Sequence, residues 1–468
     1  MNWPQTLSID AWTGADGDNE GAVGPKGRKW IRADGVPTPL KDLDWPVTKD
    51  KKDWTHPEIG WGLVLPHNAA LDVDALAAAE DAPAPIRALL ASRQPAPVFR
   101  YDPDWPERFT HLRRHNPDGS TEKLPISGGP RGVGPGCVPR YLLIYATAAE
   151  VPWELQFRLN GISYVGRLDL DGQALANYVE SLIGGWAGSA SAIEKAVVWS
   201  AVHGATGITS LMRDSIANKI HGRLHAIDEI GDGALFIDGA NANAFHETLI
   251  TALGERKPGL VVTTSHGKTG PLSNLEMMRR DLGLPIDNDR SVLDPADLLD
   301  GWSPDGAIWY AHACCSAGSD GRRLYQGLVE PGGKVDRILS AVADLGDGIA
   351  PLPRALLGAV RPLRAFIGHV QPTFDLTLRE QTTGTLLTAA LGEALAHHLY
   401  LAEPIGMVFE EFYSEALVLQ GLHSASRKAF AEDTGDLDVA LACQLTAIDR
   451  RSLVVLGDPT AALPIPGA

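Results

Sequence analysis

The chain has 468 residues and a formal net charge of −17, from 58 acidic against 41 basic side chains. That balance argues against nucleic acid as the main partner, because phosphate recognition needs a basic face; it suits basic or neutral protein substrates. With 44% apolar residues the chain can bury a sizeable core, which excludes wholesale disorder, and the length prior is roughly three domains, fewer if the units are large α/β ones.

Four cysteines stand at Cys137, Cys314, Cys315 and Cys443, two adjacent and two isolated. This is no disulfide framework, so a reducing, cytoplasmic setting is expected. The start, Met1-Asn2-Trp3-Pro4-Gln5-Thr6, lacks a basic n-region and an apolar h-region, so no signal peptide is expected. No apolar run reaches the ~18 residues of a membrane span, and no membrane partner is expected.

Residues 1–139 are rich in Gly, Pro, Trp and Asp, as in Gly14-Ala15-Asp16-Gly17-Asp18. Their best helical stretches run from Ala69 to Leu90, interrupted by Pro83 and Pro85. They read as a loop-rich N-terminal accessory region anchored by tryptophans on the rest, or else as a separately folded irregular domain. From residue 140 the rhythm becomes strand, turn, helix. Tyr141–Tyr145 is a β-prone run, and Tyr164–Leu168 reads as an edge strand. Asp171–Ile183 predicts a helix stopped by Gly184-Gly185. Ala196–Val202 and Ala234–Ile237 predict strands, and Gly207–Ile220 and Asn243–Leu253 predict helices. Leu260–Thr264 and Ala307–His312 follow as apolar strands. Later come strands at Arg364–Gly368 and Leu453–Leu456, with helices at Thr385–Leu401 and Val408–Gln420 between them. Strands apolar throughout and separated by helices predict a mostly parallel sheet covered on both faces, an α/β fold.

In such sheets reactive groups gather at the carboxyl ends of the strands. Two of these ends carry chemistry. Val262-Thr263-Thr264-Ser265-His266-Gly267 ends on a His-Gly pair, and Ala311-His312-Ala313-Cys314-Cys315-Ser316-Ala317 ends on a thiol 48 residues later. An imidazole near neutral pKa can take the thiol proton and later protonate a leaving amine. Glycine after the histidine admits a close backbone approach and leaves an N–H that can face an oxyanion. Singly, a His-Gly pair is often just a turn and a buried cysteine a small hydrophobe; their occurrence on consecutive strands carries the reading.

These residues resemble the caspase-like cysteine peptidases, which include caspases, gingipains, separases and CHAT-domain proteases. That family places a His-Gly pair after one apolar strand and an Ala/Gly/Gln-Cys after the next. The gingipain and CHAT branches match best. Tyr141-Leu142-Leu143-Ile144-Tyr145 with Val151-Pro152 resembles their early strand, Tyr164-Val165-Gly166-Arg167-Leu168 their Gly-Arg segment, Asp238-Gly239-Ala240-Asn241-Ala242 the stretch before the histidine, and Leu456-Gly457-Asp458-Pro459-Thr460 their Gly-Asp-Pro close. The likeness covers about residues 140–468, the implied peptidase domain. Tyr145-Ala146-Thr147 departs from the commoner Gly-Asp, and Cys315 from a polar residue.

The resemblance implies a caspase-like three-layer αβα sandwich and a cysteine endopeptidase acting on protein substrates through an acyl-enzyme. Cys314 would be the nucleophile, because the family register falls on Ala313-Cys314-Cys315-Ser316-Ala317, with Cys315 packed under the sheet. His266 would be general base and acid, with the backbone N–H groups of Gly267 and Cys314 as oxyanion donors. No third residue orienting the imidazole is identifiable. Latency until an activating partner or ligand binds is a further expectation, and an inactive scaffold that binds a protein partner is the alternative. No cofactor or metal is called for; vicinal cysteines lack the usual gap of a zinc site, and Gly132-Val133-Gly134-Pro135-Gly136 precedes a strand where a dinucleotide loop would follow one. His203-Gly204 also follows a strand and reads as a loop at the same sheet edge, and His312 reads as a packed strand residue. Asp214, Asp228 and Asp238 are candidates for an acidic specificity pocket, though turn and cap roles suit each. Ser319-Asp320-Gly321-Arg322-Arg323 reads as a polar, flexible loop and a candidate site of self-cleavage.

Overall fold

The computed structural model describes residues 6–14, 19–22, 49–116, 118–241, 244–379, 384–432 and 437–465. Ala15–Asp18 of the Gly-rich stretch, Ala242 at the end of the Asp238–Ala242 stretch, and Asn243 at the start of one expected helix lie outside these. The strands in chain order are β1 (Thr6–Ile9), β2 (Ala11–Trp12), β3 (Asn19–Ala22), β4 (Trp61–Pro66), β5 (Val98–Tyr101), β6 (His111–His115), β7 (Thr121–Pro125), β8 (Tyr141–Tyr145) and β9 (Tyr164–Leu168). They continue with β10 (Ala192–Ser200), β11 (Ala234–Asp238), β12 (Pro258–Thr264), β13 (Gly267–Lys268), β14 (Ile308–His312), β15 (Gly318–Ser319), β16 (Gly348–Ile349), β17 (Ala365–His369) and β18 (Leu453–Leu456).

Twelve of these form one sheet in the order β11-β10-β12-β14-β17-β18-β9-β8-β4-β5-β6-β7. From β11 to β17 every pairing is parallel. The pairings from β18 through β9, β8 and β4 to β5 are parallel as well. The two sets meet at the antiparallel β17–β18 pair, so they run in opposite directions. Parallel neighbours need crossovers. Here these are helices such as Trp153–Asn160 between β8 and β9, His246–Arg256 between β11 and β12, and Lys334–Asp344 with Pro351–Leu357 between β14 and β17. Strands β9, β12, β14, β17 and β18 are buried along their whole length, as expected of a sheet covered on both faces. The protein is thus a mixed α/β fold with a large, mostly parallel central sheet flanked by helices, a three-layer sandwich.

Within each set the strands follow one scheme. Numbered in chain order, β4, β5, β8 and β9 lie side by side as second, first, third, fourth; β10, β11, β12 and β14 do the same, with β17 fifth. This is the doubly wound arrangement, whose switch point lies between the first and third strands. The sheet therefore has two switch points, β4/β8 and β10/β12, facing opposite sheet edges.

Two expectations need correction. Residues 61–125 are not loop-rich: they add β4 to β7 to the same sheet, and β4 pairs directly with β8 across the expected 139/140 boundary. The run Trp61-Gly62-Leu63-Val64-Leu65-Pro66 hid its strand character behind Gly62 and Pro66. Tyr164–Leu168 is no edge strand, because β18 and β8 flank it. The predicted helices are present with shifted ends. Gly207–Ile220 becomes a helix from Ile208 to His225 carrying a π turn at Arg213–Ala217, and Val408–Gln420 becomes the longer Glu410–Ala431.

Candidate active site

Strands β12 and β14 are parallel neighbours whose last paired residues are Thr264 and His312. His266 and Cys314 each stand two residues beyond that rung, at the carboxyl end of the sheet. The two turns that follow touch. A Cβ built on Gly267 would fall on the Cys314 carbonyl oxygen, with the Cys314 carbonyl carbon and amide nitrogen at 2.9 Å. Glycine after the histidine is imposed by this approach of the two backbones. Beyond the thiol the chain breaks sharply: Cys315 has φ +56°, in the left-handed region that costs a non-glycine residue ~1–2 kcal/mol. Strain of this kind persists where surrounding contacts hold it and clusters at functional sites. Here Cys315 N–H donates to Gln371 O at 3.1 Å and Ala317 N–H to His369 O at 2.9 Å, anchoring both sides of the bend.

The residue that orients the imidazole comes from the N-terminal segment. Asp10 Oδ1 lies 2.5 Å from His266 Nδ1, and both side chains are buried. Short β2 brings it there by pairing with β13: Ala11 faces Gly267 and Trp12 faces Lys268. On its other side Asp10 N–H donates to Thr373 O at 3.1 Å, and Ile9 bridges Phe374. The only sequence signal for this segment was its alternating apolar residues Ile9 and Ala11 beside Trp12; nothing local ties Asp10 to His266.

Around the imidazole three rings pack together. His203 stacks on His266 with centroids 5.2 Å apart and planes at 13°. Trp12 stacks on both, at 5.9 Å from His266 and 5.7 Å from His203. His203 donates Nε2–H to the Asp287 carbonyl at 2.6 Å. Burial, together with His266 and Arg290 nearby, pushes its pKa down, against the pull of the Asp287 carbonyl. A neutral imidazole pinned in this way is a wall of the site, at the β10/β12 switch point.

The thiol is closed off. Cys314 is fully buried, and its Sγ accepts the Thr373 N–H at 3.1 Å. Burial pushes its pKa well up, and the Asp10 carboxylate and Cys315 add to this. Cys315 is also buried, with its pKa raised by burial and by Asp10. Both thiols belong to an apolar cluster with Ile9, Ala11, Tyr325 and Phe374. The Gly267 N–H, an expected oxyanion donor, donates instead to the Asp10 carbonyl at 3.2 Å. In this arrangement it does not face an open cleft.

Other expected candidates fall elsewhere. His312 is buried with Nδ1 2.9 Å from the Tyr310 hydroxyl and 3.3 Å from His369 Nε2, and burial brings its pKa down to about 3. It belongs to an internal polar chain that ends at Ser452, 3.1 Å from His369 Nδ1. Asp238 takes Nε and one terminal nitrogen of Arg213, at 2.6 and 2.5 Å, and the exposed Asp214 takes the other terminal nitrogen at 2.6 Å, so the two carboxylates share one guanidinium. Asp228 is exposed on the surface. The Ser319–Arg323 loop is not flexible: Ser319 and Asp320 are buried, Gly321 N–H donates to Asp347 at 2.7 Å, and Arg322 holds Asp320 and Glu154. All four cysteines are free. Among the described residues no helix is long and apolar enough to cross a membrane, and no group of three or more His, Cys, Asp or Glu is disposed to hold a metal ion.

No protein-family model matches the chain, and no curated protein matches it.

Proposed function

We propose that the protein is a cysteine endopeptidase of the caspase-like kind, held in a closed, latent form. The observation that carries the reading is the common rung: His266 and Cys314 stand at matching positions past Thr264 and His312 on adjacent parallel strands. Asp10 on His266 Nδ1 completes the logic of a triad, in which a carboxylate fixes the tautomer and leaves Nε2 to act. In the first step Cys314 Sγ forms a bond to the scissile carbonyl carbon and His266 takes the thiol proton. The C–N bond then breaks and His266 gives that proton to the leaving amine, leaving a thioester. His266 next takes a proton from water, whose oxygen attacks the thioester; the acid departs and the proton returns to sulfur.

Latency follows from the burial of both groups beneath Ile9–Trp12 and Thr373. A raised thiol pKa suits a nucleophile activated only when a base is brought to bear. Entry of a peptide requires the segment over the site to shift and the Gly267 N–H to leave the Asp10 carbonyl; the Gly267 and Cys314 amides are then the oxyanion donors of this reading. Substrates are proteins, and the trigger is a partner or ligand acting on that segment. The same burial also favours a second reading, an inactive scaffold that binds a protein partner. Profiling of newly formed protein N-termini separates the two. Lysate incubated with the wild type is expected to gain termini that are missing with Cys314→Ala. Identical profiles, together with no Cys314 adduct from peptidyl acyloxymethyl ketones under any activating condition, would favour the scaffold.

A further inference from the structure

The second switch point of the sheet has no role in the proposed hydrolysis. It lies between β4 and β8, at the edge opposite His266 and Cys314, because the β17–β18 pairing reverses the strand direction. A cavity of about 430 Å³ opens there, lined by the residues that follow β4, β8 and β9. Ligands of doubly wound sheets bind outside the carboxyl ends of the strands at such a point, and a cavity of this size suits a small molecule.

The two switch points can be compared rung by rung. The last pair of β8 and β9 is Tyr145 with Leu168, so the positions two residues beyond are Thr147 and Leu170. These correspond to His266 and Cys314 in the other half. Neither can serve as nucleophile-and-base partner to the other, so the cavity reads as a binding site without hydrolytic chemistry. At its base Arg100 is buried and spent: it holds Asp81 with two contacts of 2.9 and 2.8 Å and also donates to the Pro66 carbonyl at 2.9 Å. Three further carboxylates line the cavity: Glu150, Asp169 and Asp171. Asp169 has two cationic neighbours, Arg354, half-exposed and 2.9 Å away, and the buried Arg167. Glu150 accepts from the Thr147 hydroxyl and, like Asp171, makes no ion pair among the described residues. Burial raises the Asp169 pKa, so its charge lacks the solvation it would have in water. The imidazole of His67 also lines the cavity, and its buried Nδ1 makes no hydrogen bond. Leu65 and Leu170 supply apolar wall.

We propose that this cavity binds a small organic cation, an alkylammonium or guanidinium group on a short apolar stem. The cation meets the surplus carboxylates and the stem lies along the leucines. The inference does not depend on peptidase activity, and it is tested on full-length Cys314→Ala protein by calorimetric titration. The probes are agmatine, n-butylamine and Nα-acetyl-arginine methylamide, the last distinguishing a peptide side chain from a free cation. Butyramide and butyrate are the neutral and anionic controls at matched ionic strength. Saturable binding of agmatine or butylamine is expected, with neither control binding. Asp171 is exposed and is the N-cap residue of the Gly172–Ile183 helix, so Asp171→Lys is expected to lower the melting temperature only slightly and to weaken that binding at least tenfold; Asp169→Asn is the second variant. Absence of saturable binding by every cation at millimolar concentration overturns the proposal. So does equal binding by butyrate, binding unchanged in both variants, or binding of the capped arginine alone.

Discussion

Asp10→Asn separates the orienting carboxylate from everything else in the site. The substitution keeps the volume of a fully buried side chain and its backbone contacts to Thr373 and Gly267. It removes the charge 2.5 Å from His266 Nδ1 and allows the wrong tautomer. A charge-assisted hydrogen bond is worth ~1.5–3 kcal/mol. Loss of the correct tautomer adds to this, and the analogous substitution in a serine-protease triad costs ~10⁴ in turnover. The expected fall in kcat is therefore about 10²- to 10⁴-fold, or ~3–5 kcal/mol of barrier. The assay is turnover on a peptide taken from the N-terminal profiling, with the melting temperature recorded in parallel. A second readout isolates positioning from packing. The Asp10 charge is one of the causes that raise the Cys314 pKa. Its removal is therefore expected to leave the Cys314 pKa, read from the pH dependence of alkylation, no higher than in the wild type. Turnover within about threefold of the wild type, with melting unchanged, refutes the role of Asp10. Loss of activity that only tracks a fall in melting temperature reduces Asp10 to a structural residue.

Other outcomes follow from the same geometry. Gly267→Ala places a methyl on the Cys314 backbone, which must move; turnover is expected to fall about 10²-fold, as for a displacement near 1 Å, beyond any loss of stability in a melt. Cys315→Ala is expected to keep turnover while Cys314→Ala abolishes it, as both variants assayed side by side will show. His203→Phe keeps a ring stacked on His266 and is expected to retain turnover within about tenfold, whereas a loss as deep as that of His266→Ala would make His203 the base. The His312 pKa falls from 6.5 unfolded to about 3 folded, so the unfolded chain binds the extra proton between these values. Stability is then fully present above 6.5 and lost as pH falls from 6.5 toward 3, by a few kcal/mol. In His312→Gln the drop in melting temperature across that window is expected to be shallower than in the wild type.

Much of this was legible from residues whose environment is uniform. Leu142–Ile144, Leu260–Val262 and Ile308–Ala311 are apolar on both faces because the sheet is covered on both, and they read as strands directly. The His-Gly and Ala-Cys ends were legible for the same reason, since each follows such a run. Strand β6 was not. His111-Leu112-Arg113-Arg114-His115 is mostly polar, and it is held as a strand by pairing with β5 and β7. Asp10 was illegible because its role is entirely tertiary: a two-residue strand pairing carries it to His266. The loop at Ser319–Arg323 misled in the opposite sense, because a polar sequence can be rigid when carboxylates such as Asp320, Asp347 and Glu154 take up its donors.

The central claim, that Cys314 is a nucleophile served by His266, is tested most directly by intact-protein and peptide mass spectrometry after exposure to a panel of peptidyl acyloxymethyl ketones. Under conditions that activate it, wild type is expected to carry one adduct, mapped to Cys314, while His266→Ala, equally folded by its melt and treated identically, stays unlabelled. Equal labelling of the two proteins, or an adduct on Cys137, Cys315 or Cys443 with Cys314 intact, would contradict the account.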